Sequence, residues 1–493
     1  MKIFNLKYRV LAIGLLMLLS SLTFSCKKAL ENNLVNATYE NTFWQNEKDV
    51  DGAVLGGYAL LRKSMFQDNC FFLWGDGPVG VFNSDDTNVS GMYTSGDFTV
   101  SYRQTGAHNW INWYQIVSSA NLIIEKTNTI PDSKFAAGRK NYLLGEAYFL
   151  RALSYFYMTR VWGDLPLQLT AVTTADQVKL IGRTDEKLIM NQIISDAAKA
   201  SSLLTWEGLN ENQRIRASKG AALALLAHAS AWTNDYTKTV LYTDSLLNRA
   251  DLFNLQPKGT IRQVFSNTSS MENILVIPSK YANNESSSSG TIAFLTVSSD
   301  IVNGMPNANP TYWLLPSALD NLYTPDDARK KEFVAYRNTA DLKPNLMKYA
   351  DIQNVGSGGK YDMRAESNLI IFRLADLILL RAEALNALGR DGEALTAVNQ
   401  IRDRAGVAQL SSSSILLKRD ILLERRRELI GEGQNYFDII RNSRSYGTDG
   451  SGFYPSWMTK DRFSKKGWLW PIHNDIINAN SLISQNEWWK GRY

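Results

Sequence analysis

Residues 371–404 read IFRLADLILLRAEALNALGRDGEALTAVNQIRDR, and no other stretch limits the fold so tightly. Leu374, Ile378, Ala382, Leu385 and Leu388 give the first arm an almost continuous apolar and small surface at helical spacing. Gly389 breaks the helix, and a second arm from Glu393 carries Ala394, Ala397, Val398 and Ile401. Small residues at this spacing let two helices approach closely, which predicts a helical hairpin of tetratricopeptide type. Such a unit cannot bury its apolar face alone, so further hairpins are required. Asn234-Asp235-Tyr236 marks a second one across Ala221–Leu247. The expected fold is mostly α, a tetratricopeptide-like helical hairpin scaffold decorated with long loops and a few short strands.

Helical patterns are predicted over Glu47–Leu61, Trp110–Thr127, Phe135–Arg160, Asp185–Leu204, Asn212–Thr233, Asp235–Arg249, Ser367–Leu388, Gly392–Ala405 and Ile415–Gly433. The scaffold is thus assigned to about 40–61, 110–250 and 367–440. Three regions interrupt it. Residues 62–109 are rich in Gly, Asn, Asp and aromatics, and residues 251–366 mix β-like runs (Ile274–Pro278, Ile292–Val297) with polar loops. Residues 442–493 form a C-terminal segment. Loops of this length in a compact chain are functional or disordered, and their aromatic content argues against simple disorder.

The stretch 424–441, ERRRELIGEGQNYFDIIR, carries a puzzle. Ile415, Leu416, Leu422, Leu423, Leu429 and Ile430 form an apolar stripe at heptad spacing, and Arg426 falls inside it. A guanidinium facing a core needs a carboxylate. Asp376 and Glu383, seven residues apart on one side of the preceding hairpin, are the candidates. The set reads either as an ion or acid site or as a structural ion network tying helices together, and the structural reading is preferred.

These stretches resemble the SusD/RagB family, the outer-membrane nutrient-binding lipoproteins of Bacteroidota, as do several others. Residues 146–166, EAYFLRALSYFYMTRVWGDLP, are similar to the family's helix with its Trp-Gly-Asp-x-Pro stop, and RASKGAALALLA at 216–227 to its next Ala-rich helix. Leu469–Asn486 resembles the closing Leu-x-Pro-Ile-Pro segment, with His473 where Pro is usual and Asn480-Ser481 where Asn-Pro is common. The resemblance covers essentially the whole chain after its first residues. It implies a SusD-like α/α superhelix, an oligosaccharide or polysaccharide ligand, and a SusC-like TonB-dependent transporter as partner. Some family members take peptides instead, and a pure protein-interaction scaffold is the further alternative.

Residues 1–25 have the layout of an export signal: Lys2, Lys7 and Arg9, then an apolar run Val10–Leu19, then small residues before Cys26. The run is too short to span a bilayer comfortably. Cys26 is therefore expected to be a lipid anchor to the outer membrane, leaving 26–493 as a single SusD-like domain facing the cell exterior. Loss of residues 1–25 would lower the formal charge from +5 to +2, since the segment holds three basic residues and no acidic ones. No basic run interleaves with aromatics, so no nucleic-acid partner is expected.

No enzyme is expected either. The chain has three His and two Cys, with no metal-ligand spacing, phosphate loop or nucleophile elbow, so neither metal nor cofactor is called for. Asp85-Asp86 or Glu207/Glu211 are the only carboxylate pairs a glycosidase reading could invoke. The chemistry that stands out is aromatic: 13 Trp and 22 Tyr. A flat ring flanked by Asn, Asp or Arg suits a sugar, which offers C–H faces and hydroxyl edges. The candidate ligand contacts are Trp74, Asp76, Asn83, Asp85, Asp86, Tyr93, Tyr102 and Arg103 from the first insertion. Tyr281, Asn283, Asn284, Tyr312 and Trp313 are those of the second. Trp110, Trp113 and Trp162 are assigned to the core.

Overall fold

Ten helices of nine or more residues carry the architecture of the computed structural model, which describes residues 43–85, 87–99, 106–206, 214–338, 340–446 and 455–493. They are α1 (Glu47–Phe66), α2 (Ile111–Thr129), α3 (Arg139–Trp162), α4 (Glu186–Leu203), α5 (Lys219–Trp232), α6 (Tyr236–Leu247), α7 (Leu374–Ala387), α8 (Asp391–Ala405), α9 (Ser414–Glu428) and α10 (Asn435–Tyr446). The helix count leaves aside Thr87–Ser95, a helix in the first insertion whose side chains are only partly described. Consecutive helices pack on one another from α1 to α8, and α6 packs on α7 although 126 residues separate them. The second insertion therefore leaves the helical array between two hairpins and returns to it.

Local chemistry explains where the helices begin and stop. Asn46 opens α1 with a reciprocal cap, its side chain accepting from Lys48 N–H while Asp49 accepts from the Asn46 N–H. The Trp-Gly-Asp-x-Pro stop works through Gly163, whose φ of +78° ends α3. A Cβ there would come within 2.7 Å of Leu469, so the stop also lets the C-terminal segment lie against the helix. Asp164 then accepts from Glu186 N–H and caps α4. From Tyr142 to Trp162 nearly every residue of α3 is buried, which makes it the central helix. Arg151 on α3 ties to Asp196 on α4 at 2.7 Å.

Eight short strands form four antiparallel pairs among the described residues. β1 (Phe82–Ser84) pairs with β3 (Tyr312–Leu314), and β2 (Asn273–Ile277) with β8 (Leu369–Arg373). β4 (Val334–Ala335) pairs with β5 (Asn345–Leu346), and β6 (Ile352–Asn354) with β7 (Met363–Ala365). Two elements differ from the sequence reading. Leu369–Arg373 is a strand rather than the start of α7, and Ile292–Thr296 is a single helical turn rather than a β-run. Both are short, mostly apolar and mostly buried runs, where periodicity cannot separate strand from helix.

The ion network exists, with one residue corrected. Arg425, not Arg426, reaches Asp376 (2.8 Å) and Asp438 (2.8 Å), while Glu383 pairs with Arg441 at 2.6 Å. His228 completes the cluster at 2.7 Å from Asp376. Of the expected stripe, Leu422, Leu429 and Ile430 are buried, but Ile415 and Leu416 are exposed, and Leu417 and Ile421 are buried in their place. One residue turns a helix by about 100°, so Arg426 points elsewhere and donates to Val79 O at 2.8 Å. A second buried network was not foreseen. Arg373 binds Glu272, Glu428 and Glu432, and Arg404 bridges Glu272 and Glu428. Arg329 holds Asp327, Glu424 and Glu428, and Lys348 holds Glu432. It locks the second insertion to α8 and α9.

Candidate ligand-binding site

The two insertions meet in the β1–β3 ladder. Asn83 stands opposite Trp313, with Phe82 opposite Leu314 and Ser84 opposite Tyr312. Alternation along a strand sends neighbours to opposite faces. Phe82, Ser84, Tyr312 and Leu314 are buried, and Tyr312 stacks on Phe72 at 5.6 Å between ring centroids. Asn83 is half-buried and accepts from Ser84 N–H.

Trp313 is only 7% exposed, because Lys343 covers it with its ammonium 4.4 Å from the ring centroid. Lys343 is in turn ion-paired to the exposed Asp85. The loop that delivers Lys343 is clamped by Arg337 and Asp341, whose Nε–Oδ2 distance is 3.1 Å. Asp341 also accepts from the Arg337 and Lys343 backbone N–H groups. Burial pushes the Asp341 carboxyl up, but the Arg337 guanidinium and these N–H donors outweigh it and hold it down at about 2. The outcome is an indole, an ammonium, a carboxylate and a carboxamide gathered at one junction, with the ammonium over the indole. Stacking and hydrogen bonding to a polar, C–H-bearing ligand are the chemistry such a set can supply.

A second aromatic surface lies in the same insertion. Tyr281 is 44% exposed with the Arg364 guanidinium 5.4 Å from its ring centroid. Tyr361 is 57% exposed, and its hydroxyl accepts from Asn303 at 2.9 Å. Gly304, at φ +94°, lets the Tyr361 ring come close to the backbone, since a Cβ there would fall 2.4 Å from the ring.

Comparison with known proteins fits this architecture. A family model described as the SusD family matches residues 335–489, and one described as starch-binding, associating with outer membrane, matches residues 79–230. Two SusD-like proteins of Formosa agariphila are 25% and 24% identical to the chain, each covering 97% of it and 99% of its own length. The crystal structure of a SusD homolog from Bacteroides thetaiotaomicron superposes with a TM-score of 0.79 at 23% identity, over 91% of this chain and 99% of that one. The chain belongs to the SusD/RagB family.

In this SusD-family chain the aromatic and acidic candidates from the sequence separate into three groups. Asn83, Asp85 and Trp313 come together as described, and Tyr281 is a surface ring. Trp74, Asp76 and Tyr312 require correction, because they are interior. Trp74 packs against Trp113 and Trp162 and donates its indole N–H to Ala107 O at 3.0 Å. Asp76 accepts from Gly431 N–H, Gly433 N–H and the Asn435 amide, fixing the turn between α9 and α10, and burial pushes its carboxyl up to about 6. Cys26, Asp86, Tyr102, Arg103 and the Tyr93 side chain lie outside the described residues. Lys343, Arg337, Asp341, Tyr361 and Arg364 were missed. Nothing local in the sequence marks them, since their roles depend on which ring or carboxylate the fold places beside them.

Proposed function

We propose that this SusD-family protein is a cell-surface glycan-binding lipoprotein that delivers its ligand to a SusC-like TonB-dependent transporter. The observation that carries this reading is the β1–β3 junction, where Trp313 and Lys343 from one insertion meet Asn83 and Asp85 from the other. A sugar ring would displace the Lys343 ammonium from the indole face and stack there. The freed ammonium, Asp85 and the Asn83 amide would then bind hydroxyls at the sugar edge. Exchange of one partly exposed cation–π contact for another stacking contact gives modest affinity, which suits a protein that must release its ligand. The family description of starch binding with outer-membrane association supports this reading. The same holds for processing after residue 25 and acylation of Cys26, with 26–493 as the mature domain.

Calorimetric titration of the chain lacking residues 1–26 against soluble polysaccharides and oligosaccharides tests the proposal. A saturable glycan isotherm should weaken about tenfold or more in Trp313→Ala and in Asn83→Ala, with melting temperature preserved. Full affinity in a folded Trp313→Ala protein would remove this junction from consideration. Cys26→Ser should move the full-length protein from the membrane fraction to the soluble one.

A further inference from the structure

After Gly163 ends α3, residues 164–184 lead to α4, and the end of this connection lies along residues 480–486 of the C-terminal segment. The Asn480 amide donates to Ile181 O at 3.0 Å, and Gly182 packs on Leu482, where a Cβ would come within 3.8 Å of the leucine side chain. Arg183 ties both segments to the end of α3. It donates to Asp164 O (2.8 Å), Ser484 O (3.0 Å), Trp162 O (2.9 Å) and Asn486 Oδ1 (2.6 Å). All four acceptors are neutral. A guanidinium has five N–H groups, so one on Nη1 is left over. Among the described residues no carboxylate is in ion-pair contact with Arg183, and burial holds its affinity for a proton below the ordinary value.

Arg183 lines a cleft of about 400 Å³ together with Lys465, Lys466 and Lys490. These four cations share the cleft with two carboxylates, Asp164 and Glu487, an excess of two positive charges. Asp164 is committed to Glu186 N–H. Lys490 pairs with Glu487 at 2.6 Å and Lys465 with Asp461 at 2.9 Å, and all four of these side chains are exposed. Lys466 is 3.7 Å from Glu186, a carboxylate that Arg444 already holds at 2.9 Å. Ion pairs this exposed are weak and screened by salt, so an incoming anion displaces them readily.

The segments that hold Arg183 also carry Val178 (66% exposed), Leu180 (58%) and Leu482 (56%). Lone exposed aliphatics are ordinary on a protein surface, but three on adjoining segments make a patch. Asp176 and Asp185 on the same connection are matched by Lys179 and Lys187, so the excess charge at the cleft stands. We propose that this face docks on an anionic lipid surface, with lipid phosphates in the cleft and Val178, Leu180 and Leu482 at the boundary between headgroups and acyl chains. Charge complementarity selects the partner. A phosphate free in water gains nothing from the aliphatic rim, and a neutral glycan gains nothing from the excess charge. Lysine stems lie along apolar surface while their ammonium groups stay with phosphates, which fits Lys179 between Val178 and Leu180. The contact is separate from the Trp313 junction and from acylation of Cys26, and requires neither.

Co-sedimentation with vesicles tests this, using the chain from Lys27, which retains the whole helical array and has no acyl group. The protein should partition onto phosphatidylglycerol vesicles and not onto phosphatidylcholine vesicles, and added salt should release it. Lys465→Gln with Lys466→Gln should lower the partition coefficient about tenfold or more, at roughly fivefold for each ammonium. Leu180→Ser with Leu482→Ser, at exposed positions where the melting temperature should hold, should lower it about tenfold. Lys134→Gln with Lys360→Gln removes the same charge from exposed sites elsewhere and should leave it within about twofold. Inorganic phosphate at matched ionic strength should leave the vesicle isotherm in place. Equal partition onto both vesicles, equal loss in the two lysine pairs, full partition in a folded Leu180/Leu482 variant, or competition by inorganic phosphate at matched ionic strength would each overturn the proposal.

Discussion

Glu428→Gln should destabilise the protein by about 3–5 kcal/mol at neutral pH, and the reason is geometric. Glu428 is fully buried on α9. One carboxylate oxygen accepts from Arg373 at 2.8 Å and Arg404 at 2.5 Å, and the other from Arg329 at 3.2 Å. Charge-assisted hydrogen bonds exceed neutral ones by roughly 1 kcal/mol each, so three contacts lose about 3 kcal/mol. Glutamine also turns an N–H donor toward a guanidinium, which adds to the loss. Burial pushes the Glu428 carboxyl up, but Arg404, Arg373, Arg329 and Lys348 outweigh it and hold it well below its ordinary value. A depressed carboxyl contributes stability that is complete above about pH 4.5 and is lost as pH falls toward its folded value. The gap between native and variant in urea titrations should thus be constant from pH 7 to 5. Below pH 4.5 it should narrow by up to about 1.4 kcal/mol per pH unit. Combining Glu428→Gln with Arg404→Met should cost less than the two changes added together, by more than about 1 kcal/mol. A neutral-pH loss below about 1 kcal/mol, or a gap unaffected by acid, would refute the account of this network as a charge lock.

Three further outcomes follow from other parts of the molecule. Lys343→Ala should expose the Trp313 face to acrylamide quenching, an increment absent when Trp313→Phe is added, while stability changes by less than about 1 kcal/mol. Asp76 has its carboxyl raised to about 6 by burial, so the native state holds that proton more tightly than the unfolded chain. Its contribution is therefore greatest below about pH 4 and falls by about 3 kcal/mol as pH rises through 6; urea titrations of Asp76→Asn should show that slope flattened. Gly163→Ala should lower stability by about 1–3 kcal/mol through its left-handed backbone and the Leu469 contact. Leu469→Ala in the same chain should relieve only the steric part, as read by thermal denaturation.

The helical hairpins were legible from the length of their apolar, Ala-rich runs and from the turn residues between the arms, since α5 and α7 themselves are buried along almost their whole length. α7 with α8 and α5 with α6 appear where Gly389 and Asn234 punctuate the pattern, and both residues adopt positive φ. Legibility ended where the run was too short for length to decide between helix and strand. Leu369–Arg373 and Ile292–Thr296 are five residues each and apolar but for their last residue, so neither period is visible and each was assigned to the wrong class. The pairing of Asp376 with a cation on α9 was readable from charge inside an apolar stripe, whereas Glu383 takes its cation, Arg441, from α10. Choosing Arg425 over Arg426 required the phase of α9, which its packing against α7 and α10 sets.

The sequence alone determined the family, the hairpin scaffold and the two loop-rich insertions, because these depend on local periodicity and on ordered motifs spread along the chain. Tertiary structure decided which aromatic residues pack in the interior and which sit beside charged groups near the surface. Trp74 and Trp313 are alike in sequence, each an indole within a loop-rich insertion. One fills the core between Trp113 and Trp162, and the other is covered by the partly exposed Lys343. The difference lies in contacts between segments more than two hundred residues apart, β1 with β3 and Asp85 with Lys343. No local pattern encodes a pairing across that distance, since it forms only when the helical array brings both insertions to one side.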